Sequence, residues 1–225
     1  MKVYRTASMT AVWRNMAGID EDSIIHVNLL MRFFAYTMGK LDPNSVATIA
    51  ERTKKIDFII KKSNPKCIVE IGAGFSSRSG RFKNTKFYEM DLPHFKKFKK
   101  NIIKFDIGKD ELKLDIKNAL FIVEGVTMYL QKEQVLALLS QIKKYKGSIL
   151  IDFFNKEYSA KKKSLREKIY KALFRLIIGS TRLFDFRIEN IQEGIALLKA
   201  SGYENIKFHK YKIPKTLDVL FFAQL

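Results

Sequence analysis

Four carboxylates stand at or near the ends of short apolar runs: Glu70, Asp91, Asp106 and Glu124. Runs of this length are typical of buried strands, and the carboxyl ends of parallel strands meet at one edge of a sheet. We therefore predict that the four acids lie near one another at that edge. Because charges of opposite sign attract, a crevice surrounded by carboxylates favours a positively charged ligand.

The first apolar run, 67–71, is followed by Gly72, Ala73 and Gly74. Glycine adopts positive φ without strain and lets a ligand approach the backbone closely. A buried strand that turns into a helix at such glycines is the first unit of nucleotide- and nucleoside-binding α/β folds. Ser77 stands where a dinucleotide fingerprint has its third glycine, so an ordinary strand-turn-helix unit is the alternative.

Glu70 distinguishes between two ligands of such a turn. Alternation along the strand places Ile68, Glu70 and Gly72 on one face, so the carboxylate points toward the turn. It would repel the pyrophosphate of NAD and attract the sulfonium and ammonium groups of S-adenosylmethionine. We therefore expect S-adenosylmethionine as the cofactor. The alternative for Glu70 is a salt bridge at a strand end.

The remaining acids suggest contacts along such a cofactor. Asp91 lies close to the spacing, about 20 residues after the glycine turn, at which an acid binds the ribose hydroxyls. Its alternative is a capping role in an Asp-x-Pro turn. Asp106 is placed to meet the adenine amino group, with Ile107 packing on the ring, and Glu124 is a second acid facing a cation.

Helix-like and strand-like segments alternate along most of the chain. Helices are predicted over 6–16, 24–36, 45–61, 131–145 and 190–200, with Leu136 among the buried residues of 131–145. Strands are predicted over 67–71, 86–91, 101–106, 119–124, 148–153, 206–213 and 219–224. This order predicts an α/β fold with a doubly wound parallel sheet. The short turn between the last two strands requires an antiparallel pair. Residues 1–62 are predicted to form an N-terminal helical cap on a domain of residues 63–225.

Composition narrows the class of protein. The chain has 225 residues, 47% of them hydrophobic, and a formal net charge of +19. That length predicts one domain with a substantial core. The charge attracts polyanions or acidic molecules, although a lysine-rich genome would produce the same excess.

A single cysteine, Cys67, excludes an intrachain disulfide and a cysteine-based metal cluster, and no metal site is expected. With no signal peptide and no apolar run of about 18 residues, we expect a cytoplasmic protein without a transmembrane segment.

Three motifs together resemble the leucine carboxyl methyltransferase family, which includes bacterial O-methyltransferases associated with polyketide-type small molecules. They are Glu70-Ile-Gly-Ala-Gly74-x-x-x-Arg78, Tyr88-Glu-Met-Asp-Leu-Pro93 and Val123-Glu-Gly-x-x-x-Tyr-Leu130. Ser8-Met-Thr-Ala11 with Arg14, and Arg52-Thr-Lys-Lys-Ile-Asp57, are similar to the helical cap of that family. The resemblance runs over about residues 6–153.

The resemblance implies a class I methyltransferase fold with a Rossmann-like sheet. It also implies methyl transfer from S-adenosylmethionine to a carboxylate or hydroxyl of a small molecule. Arg52 and Arg78 match family arginines that hold the carboxylate of the donor or acceptor. Ser76 stands where the family usually has aspartate, which leaves the substrate class open. The implied cofactor-binding residues are Arg52, Glu70, Gly72, Ala73, Gly74, Arg78, Asp91, Asp106, Ile107, Glu124, Gly125 and Tyr129.

Catalytic groups are harder to assign. In-line positioning accounts for most of the catalysis of methyl transfer, and a carboxylate acceptor needs arginines rather than a base. A phenol acceptor would need a base, for which Tyr129 and His26 are candidates. His26, on the predicted apolar helix 24–36, has a structural role as its alternative.

Residues 156–187 include a strongly basic segment with leucine and isoleucine at helical spacing. One hypothesis is a basic amphipathic lid over the site that attracts an acidic or lipophilic acceptor, with peripheral membrane contact left open. The alternative is a solvated helix packed on the cap.

Three further functions remain as alternatives. The net charge favours an RNA methyltransferase, but no RNA-binding module or amino-methylating tetrad is present. Ser76 and the short chain are compatible with a non-catalytic S-adenosylmethionine-binding protein. An NAD dehydrogenase is disfavoured by Glu70 and by the antiparallel end of the sheet.

Overall fold

Seven strands form one sheet at the centre of the protein. The computed structural model describes residues 3–19, 24–156, 186–211, 213 and 218–225. The strands are β1 (Cys67–Ile71), β2 (Lys86–Asp91), β3 (Ile103–Lys104), β4 (Leu120–Val123), β5 (Ser148–Phe154), β6 (Glu204–Lys210) and β7 (Asp218–Gln224). Their spatial order is β3-β2-β1-β4-β5-β7-β6. Strands β1 to β5 pair in parallel, and β7 pairs antiparallel with both β5 and β6. The predicted doubly wound sheet with an antiparallel C-terminal strand is confirmed.

Six helices are described around the sheet. They are α1 (Val3–Met16), α2 (Leu29–Leu41), α3 (Pro43–Ser63), α4 (Arg78–Arg81), α5 (Lys132–Lys143) and α6 (Ile191–Ala200). None of the helices in the described ranges is long and apolar enough to cross a membrane.

One face of the sheet packs on α5 and α6 through a continuous set of apolar side chains. Residues such as Val69, Phe121 and Ile149 are fully buried there, against Leu139 of α5 and Leu198 of α6. Alternate strand residues point to opposite faces, so β1, β4 and β5 each contribute a continuous apolar row to this core. It is the largest hydrophobic cluster among the described residues.

The other face packs on α3, the last helix of the N-terminal region. Ile56 and Ile60 of α3 are buried against Ile68, Ile122 and other residues of the opposite strand parity. Helix α3 therefore covers the sheet directly, as a layer of the α/β sandwich.

Helices α1 and α2 pack on each other next to this layer. The indole Nε1 of Trp13 donates a hydrogen bond of 2.8 Å to the carbonyl oxygen of Ala35. The side chain of Asn28 caps α2 by accepting from the backbone nitrogen of Met31 at 2.9 Å. Because this cap fixes the start of α2 at Leu29, the predicted helix 24–36 is wrong in its bounds, and His26 lies in the preceding turn.

Three local predictions need correction. The glycine turn leads into only one turn of helix, α4, since Ser79 and Gly80 are poor helix formers and β2 begins at Lys86. Strand β3 has two residues instead of the predicted six. Leu136 is 38% exposed, so it lies outside the buried face of α5.

Candidate functional site

The glycine turn after β1 is held against the neighbouring strand. Gly72 and Gly74 have φ of 74° and 49°, in the left-handed region that favours glycine. The backbone nitrogens of Gly72 and Ala73 donate to the carbonyl oxygen of Met90 at 2.8 and 3.1 Å. These bonds fix the turn to the carboxyl end of β2.

Two neighbouring side chains pack directly on this turn. A Cβ atom at position 72 would lie 2.1 Å from Cγ2 of Val126, and a Cβ at position 74 would lie 3.3 Å from the Cβ of Ala7. Helix α1 and the loop after β4 therefore cover the turn closely, and the turn tolerates only glycine at position 72.

Asp91 ends β2 beside the same turn. Its Oδ2 accepts from the backbone nitrogen of Gly74 at 2.7 Å, and its Oδ1 accepts from that of Leu92 at 2.7 Å. Burial raises the pKa of Asp91 to about 6, although the two backbone donors and nearby Lys99 act in the opposite direction. The structure thus brings Asp91 to the glycine turn.

Four carboxylates form a row on the α3 face at the carboxyl edge of the sheet. Strand alternation places them with the residues that pack on α3, and all four are at most 8% exposed. They are Glu70 of β1, Glu124 after β4, Asp152 of β5 and Asp218 of β7. Since these strands are neighbours in the order β1-β4-β5-β7, the row crosses the middle of the sheet.

Arg78 connects the first half of this row. Its Nη1 donates to Glu70 and its Nη2 donates to Oε2 of Glu124 at 2.8 Å. Its Nε donates to Oδ1 of Asp57 at 2.9 Å, and Asp57 also accepts from the partly exposed Arg81. The guanidinium of Arg78 is completely buried.

Arg52 and Arg14 connect the second half. Nη1 of Arg52 donates to Asp152 at 2.7 Å and to Asp218 at 2.6 Å. Its Nε donates to Oε1 of Glu124 at 3.1 Å, and Nη2 of Arg14 donates to the same oxygen at 2.9 Å. We call the seven residues Glu70, Glu124, Asp152, Asp218, Arg14, Arg52 and Arg78 the buried charge cluster.

The buried charge cluster has one more carboxylate than it has guanidinium groups. Burial alone raises the pKa of Glu124, but the three arginines outweigh it, and the pKa lies well below its ordinary value. Burial raises the pKa of Glu70 despite Arg78, and raises that of Asp218 to about 7 despite Arg52. Oε2 of Glu70 is buried without a hydrogen-bond partner among the described residues. With all four acids ionised, these seven residues carry one unbalanced negative charge.

Asp152 also holds the loop that follows β4. Its Oδ1 accepts from the backbone nitrogen of Gly125 at 2.8 Å, and its carbonyl oxygen accepts from Oγ1 of Thr127 at 2.7 Å. Tyr129, in the same loop, shares a hydrogen bond with Thr6 of α1, and burial raises its pKa to about 12. Its phenol is therefore neutral near pH 7.

The other predicted site residues have local roles in the structure. Oδ1 of Asp106 accepts from the backbone nitrogen of Gly108 at 3.1 Å, and its carboxylate lies 3.4 Å from Nζ of Lys109. Ile107 packs at the edge of the main core. His26 is exposed, with its ring 6.2 Å from that of Phe75, the residue after Gly74.

Sequence reasoning missed Asp152 and Asp218. The signal for Asp152 was available, since it shares strand parity with Leu150 at the end of a predicted strand. Asp218 precedes the predicted start of the last strand by one residue, so its place in the row was not visible. The proposed basic lid, 156–187, lies almost entirely outside the described residues.

No protein-family model matches the sequence, and no curated protein matches it significantly. Solved structures do match. Human N-acetylserotonin methyltransferase in complex with S-adenosylmethionine aligns at a TM-score of 0.53 and 13% identity, over 94% of this chain and 61% of that chain. This chain thus spans about three-fifths of the length of the human enzyme.

Two smaller proteins align over nearly their whole length. An S-adenosylmethionine-dependent methyltransferase of Archaeoglobus fulgidus has a TM-score of 0.56 and 14% identity, over 79% of this chain and 94% of that one. A possible exported protein of Bordetella parapertussis has a TM-score of 0.59 and 12% identity, over 99% and 95%. At such identities the likeness concerns the fold. The chain has the class I S-adenosylmethionine-dependent methyltransferase fold.

Proposed function

We infer that this protein is an S-adenosylmethionine-dependent O-methyltransferase that acts on a small-molecule carboxylate or hydroxyl. The observation that carries this proposal is the buried charge cluster, with its excess carboxylate, at the glycine turn. It lies where the strand order reverses between β1 and β4, the point at which open α/β sheets bind ligands.

The residues at this point fit the methyl donor. Asp91 would bind the ribose hydroxyls, because its carboxylate already lies at the glycine turn. The donor's ammonium would pair with Glu70, whose Oε2 has no other partner in the described part of the chain. When bound, the donor supplies an electrophilic methyl group on its sulfonium.

The acceptor is less constrained. Arg14, Arg52 and Arg78, two of which were predicted to hold a carboxylate of the donor or acceptor, each pair with carboxylates of the protein. Tyr129, with its pKa raised to about 12, is a poor base. Chemistry that needs no base, such as transfer to an ionised carboxylate, agrees best with this arrangement. The motifs that resemble those of leucine carboxyl methyltransferases favour the same substrates.

A non-catalytic S-adenosylmethionine-binding protein is the second candidate. It is favoured by the pairing of Arg14, Arg52 and Arg78 with carboxylates of the protein, because these guanidinium groups are then engaged and not offered to an acceptor. Binding of S-adenosylmethionine without turnover on a panel of carboxylic acids and phenols would support it.

The test is calorimetry with S-adenosylmethionine, S-adenosylhomocysteine and NAD on the same preparation. We expect both adenosyl ligands to bind and NAD not to bind. Asp91→Ala should weaken S-adenosylhomocysteine at least about tenfold, since a hydrogen bond to a charged group contributes about 1.5–3 kcal/mol. Asp115→Ala, which removes an exposed carboxylate, is the matched control. A loss below about twofold in a folded Asp91→Ala protein would exclude the ribose assignment.

A further inference from the structure

Helix α2 buries one face against the described residues, and much of its opposite face is also apolar. Met31, Ala35 and Met38 are buried against the N-terminal core. A surface helix ordinarily carries charged and polar residues on the face opposite the one it buries. The opposite face of α2 therefore requires an explanation.

That opposite face carries large side chains. Leu29, Phe33 and Tyr36 follow one another at helical spacing, with Leu30 beside them and Ile25 in the turn before the helix. Their exposed fractions lie between 48% and 81%. Such concentrated exposure of aliphatic and aromatic residues marks a contact surface. We call these five residues the α2 apolar face.

A lysine-rich loop lies beside the α2 apolar face. The segment after β2, residues 92–105, includes β3 and contains five lysines and no acidic residue: Lys96, Lys97, Lys99, Lys100 and Lys104. Lys99 pairs with Glu89 of β2. We call this segment the lysine loop. The ring of Phe98 in this loop lies 6.5 Å from that of His26, which follows Ile25. Phe95 and Val27 of the two segments share one buried cluster. The turn before α2 and the lysine-rich segment are therefore held next to each other by shared buried residues.

Charge near α2 is also positive. Arg32 and Lys40 are the charged residues of α2, and neither is balanced by an acid within the helix. The helix and the lysine loop together remain basic even when the three acids at positions 20–22 are counted. An exposed apolar helix face beside a cationic rim is typical of segments that lie in a lipid-water interface.

We propose that the α2 apolar face, together with the lysine loop 92–105, docks on the surface of an anionic phospholipid bilayer. The apolar side chains would enter the boundary between headgroups and acyl chains, while Lys97 and Lys100 would face anionic headgroups. The docking does not require methyl transfer, so it stands or fails separately from the proposed activity.

Two other occupants fit less well. A second copy of the chain would also carry a net charge of +19, and the two copies would repel each other. A nucleic acid would neutralise the lysines but would leave Leu29 and Leu30 in water, because aliphatic side chains neither stack on bases nor bond phosphates. An anionic bilayer would bury the apolar side chains and also pair its headgroups with the lysines.

Vesicle flotation with the full chain tests the proposal. We expect binding to vesicles of mixed phosphatidylcholine and phosphatidylglycerol, and no binding to phosphatidylcholine alone. Leu29→Ser with Phe33→Ser should weaken binding at least about tenfold by removing apolar contact area. Phe58→Ser, which replaces a residue that is 56% exposed on α3, should change it little.

A second pair of variants examines the charge. Lys97→Gln with Lys100→Gln should also weaken vesicle binding, and added salt should have the same effect. Lys117→Gln with Lys132→Gln, on exposed positions elsewhere, is the control with equal change of charge. Sensitivity to the lysines but not to Leu29 and Phe33 would indicate a polyanion-binding surface and overturn the proposal.

Two further outcomes would also overturn it. One is failure of the wild-type protein to bind anionic vesicles. The other is a stable dimer in light scattering that dissociates on Leu29→Ser with Phe33→Ser, which would assign the α2 apolar face to a second copy.

Discussion

The two faces of the sheet have opposite chemistry at the same strands. Where β1, β4 and β5 face α5 and α6, their side chains form an apolar core that continues to the carboxyl ends. Where the same strands face α3, apolar residues such as Ile68 and Leu150 give way to the carboxylates of the buried charge cluster. The change occurs toward the edge that carries the glycine turn.

This contrast separates what stabilises the fold from what forms the site. Burial of apolar side chains contributes about 1.5–3 kcal/mol for each large residue. Buried ion pairs contribute little net stability, because desolvation offsets their attraction. A sheet selected for stability alone would continue the apolar pattern on both faces. Concentration of carboxylates on one face, at one edge, therefore supports a ligand site there.

The largest effect is expected when the buried charge cluster loses a central cation. Arg78→Met would leave Glu70 and Glu124 buried with fewer partners, and breaking a buried pair costs about 3–5 kcal/mol. Urea denaturation measures this loss. Adding Glu70→Gln to Arg78→Met should recover part of it, because the amide removes one uncompensated charge.

The matched control for this change is Arg81→Met. Arg81 also pairs with Asp57, but its side chain is 27% exposed, and exposed pairs contribute at most about 1 kcal/mol. Similar losses for the two arginines would mean that burial does not distinguish them, and the contrast between the faces would lose its energetic basis.

The apolar face should respond differently. Leu139→Ala removes a fully buried side chain of α5 and should cost about 2–5 kcal/mol through lost burial and a cavity. Since the buried charge cluster lies on the opposite face of the sheet, the loss should be the same in acidic and neutral buffer. Leu136→Ala, on the exposed side of α5, is the control and should cost much less. A loss at Leu139 that varies with pH would show that the two faces are coupled.

Hydrophobic periodicity was sufficient to predict the apolar face of the sheet but not the pairing on the charged face. Alternation and helical spacing depend on near neighbours, so strands β1, β2, β4 and β5 were located within a residue or two at each end. The same patterns misplaced α2, because the Asn28 cap, rather than the apolar run, sets its start. They also placed a full strand at β3, where pairing involves only two residues.

Such patterns could not predict the ion pairs. Glu70, Asp91 and Glu124 could be placed at the edge from their strand positions, and the structure has them there. Their arginine partners could not be predicted from the sequence. Arg52, for example, is 100 residues from Asp152 and 166 from Asp218 along the chain. Pairing over such separations follows from how α3 lies on the sheet. The arginines predicted to hold a ligand carboxylate consequently pair with the protein itself.

A smaller effect should appear in the pH dependence of stability. Burial raises the pKa of Asp218 to about 7, from 3.8, so the folded protein binds more protons than the unfolded chain between these values. The free energy of unfolding contributed by Asp218 therefore falls as the pH rises through that window. Asp218→Asn removes this contribution while an amide oxygen remains to accept from Arg52.

The difference between wild type and Asp218→Asn isolates this group from the other shifted carboxylates. As the pH rises through the upper part of the window, the free energy of unfolding of Asp218→Asn should increase relative to that of the wild type. The expected increase is about 1 kcal/mol per pH unit. Denaturation of both proteins at several pH values measures it, with Asp115→Asn as the exposed control. Parallel curves would mean that Asp218 is ionised throughout the window, so that burial does not outweigh the attraction of Arg52 at this carboxylate. The contrast between the two faces would then not extend to the pH dependence of stability.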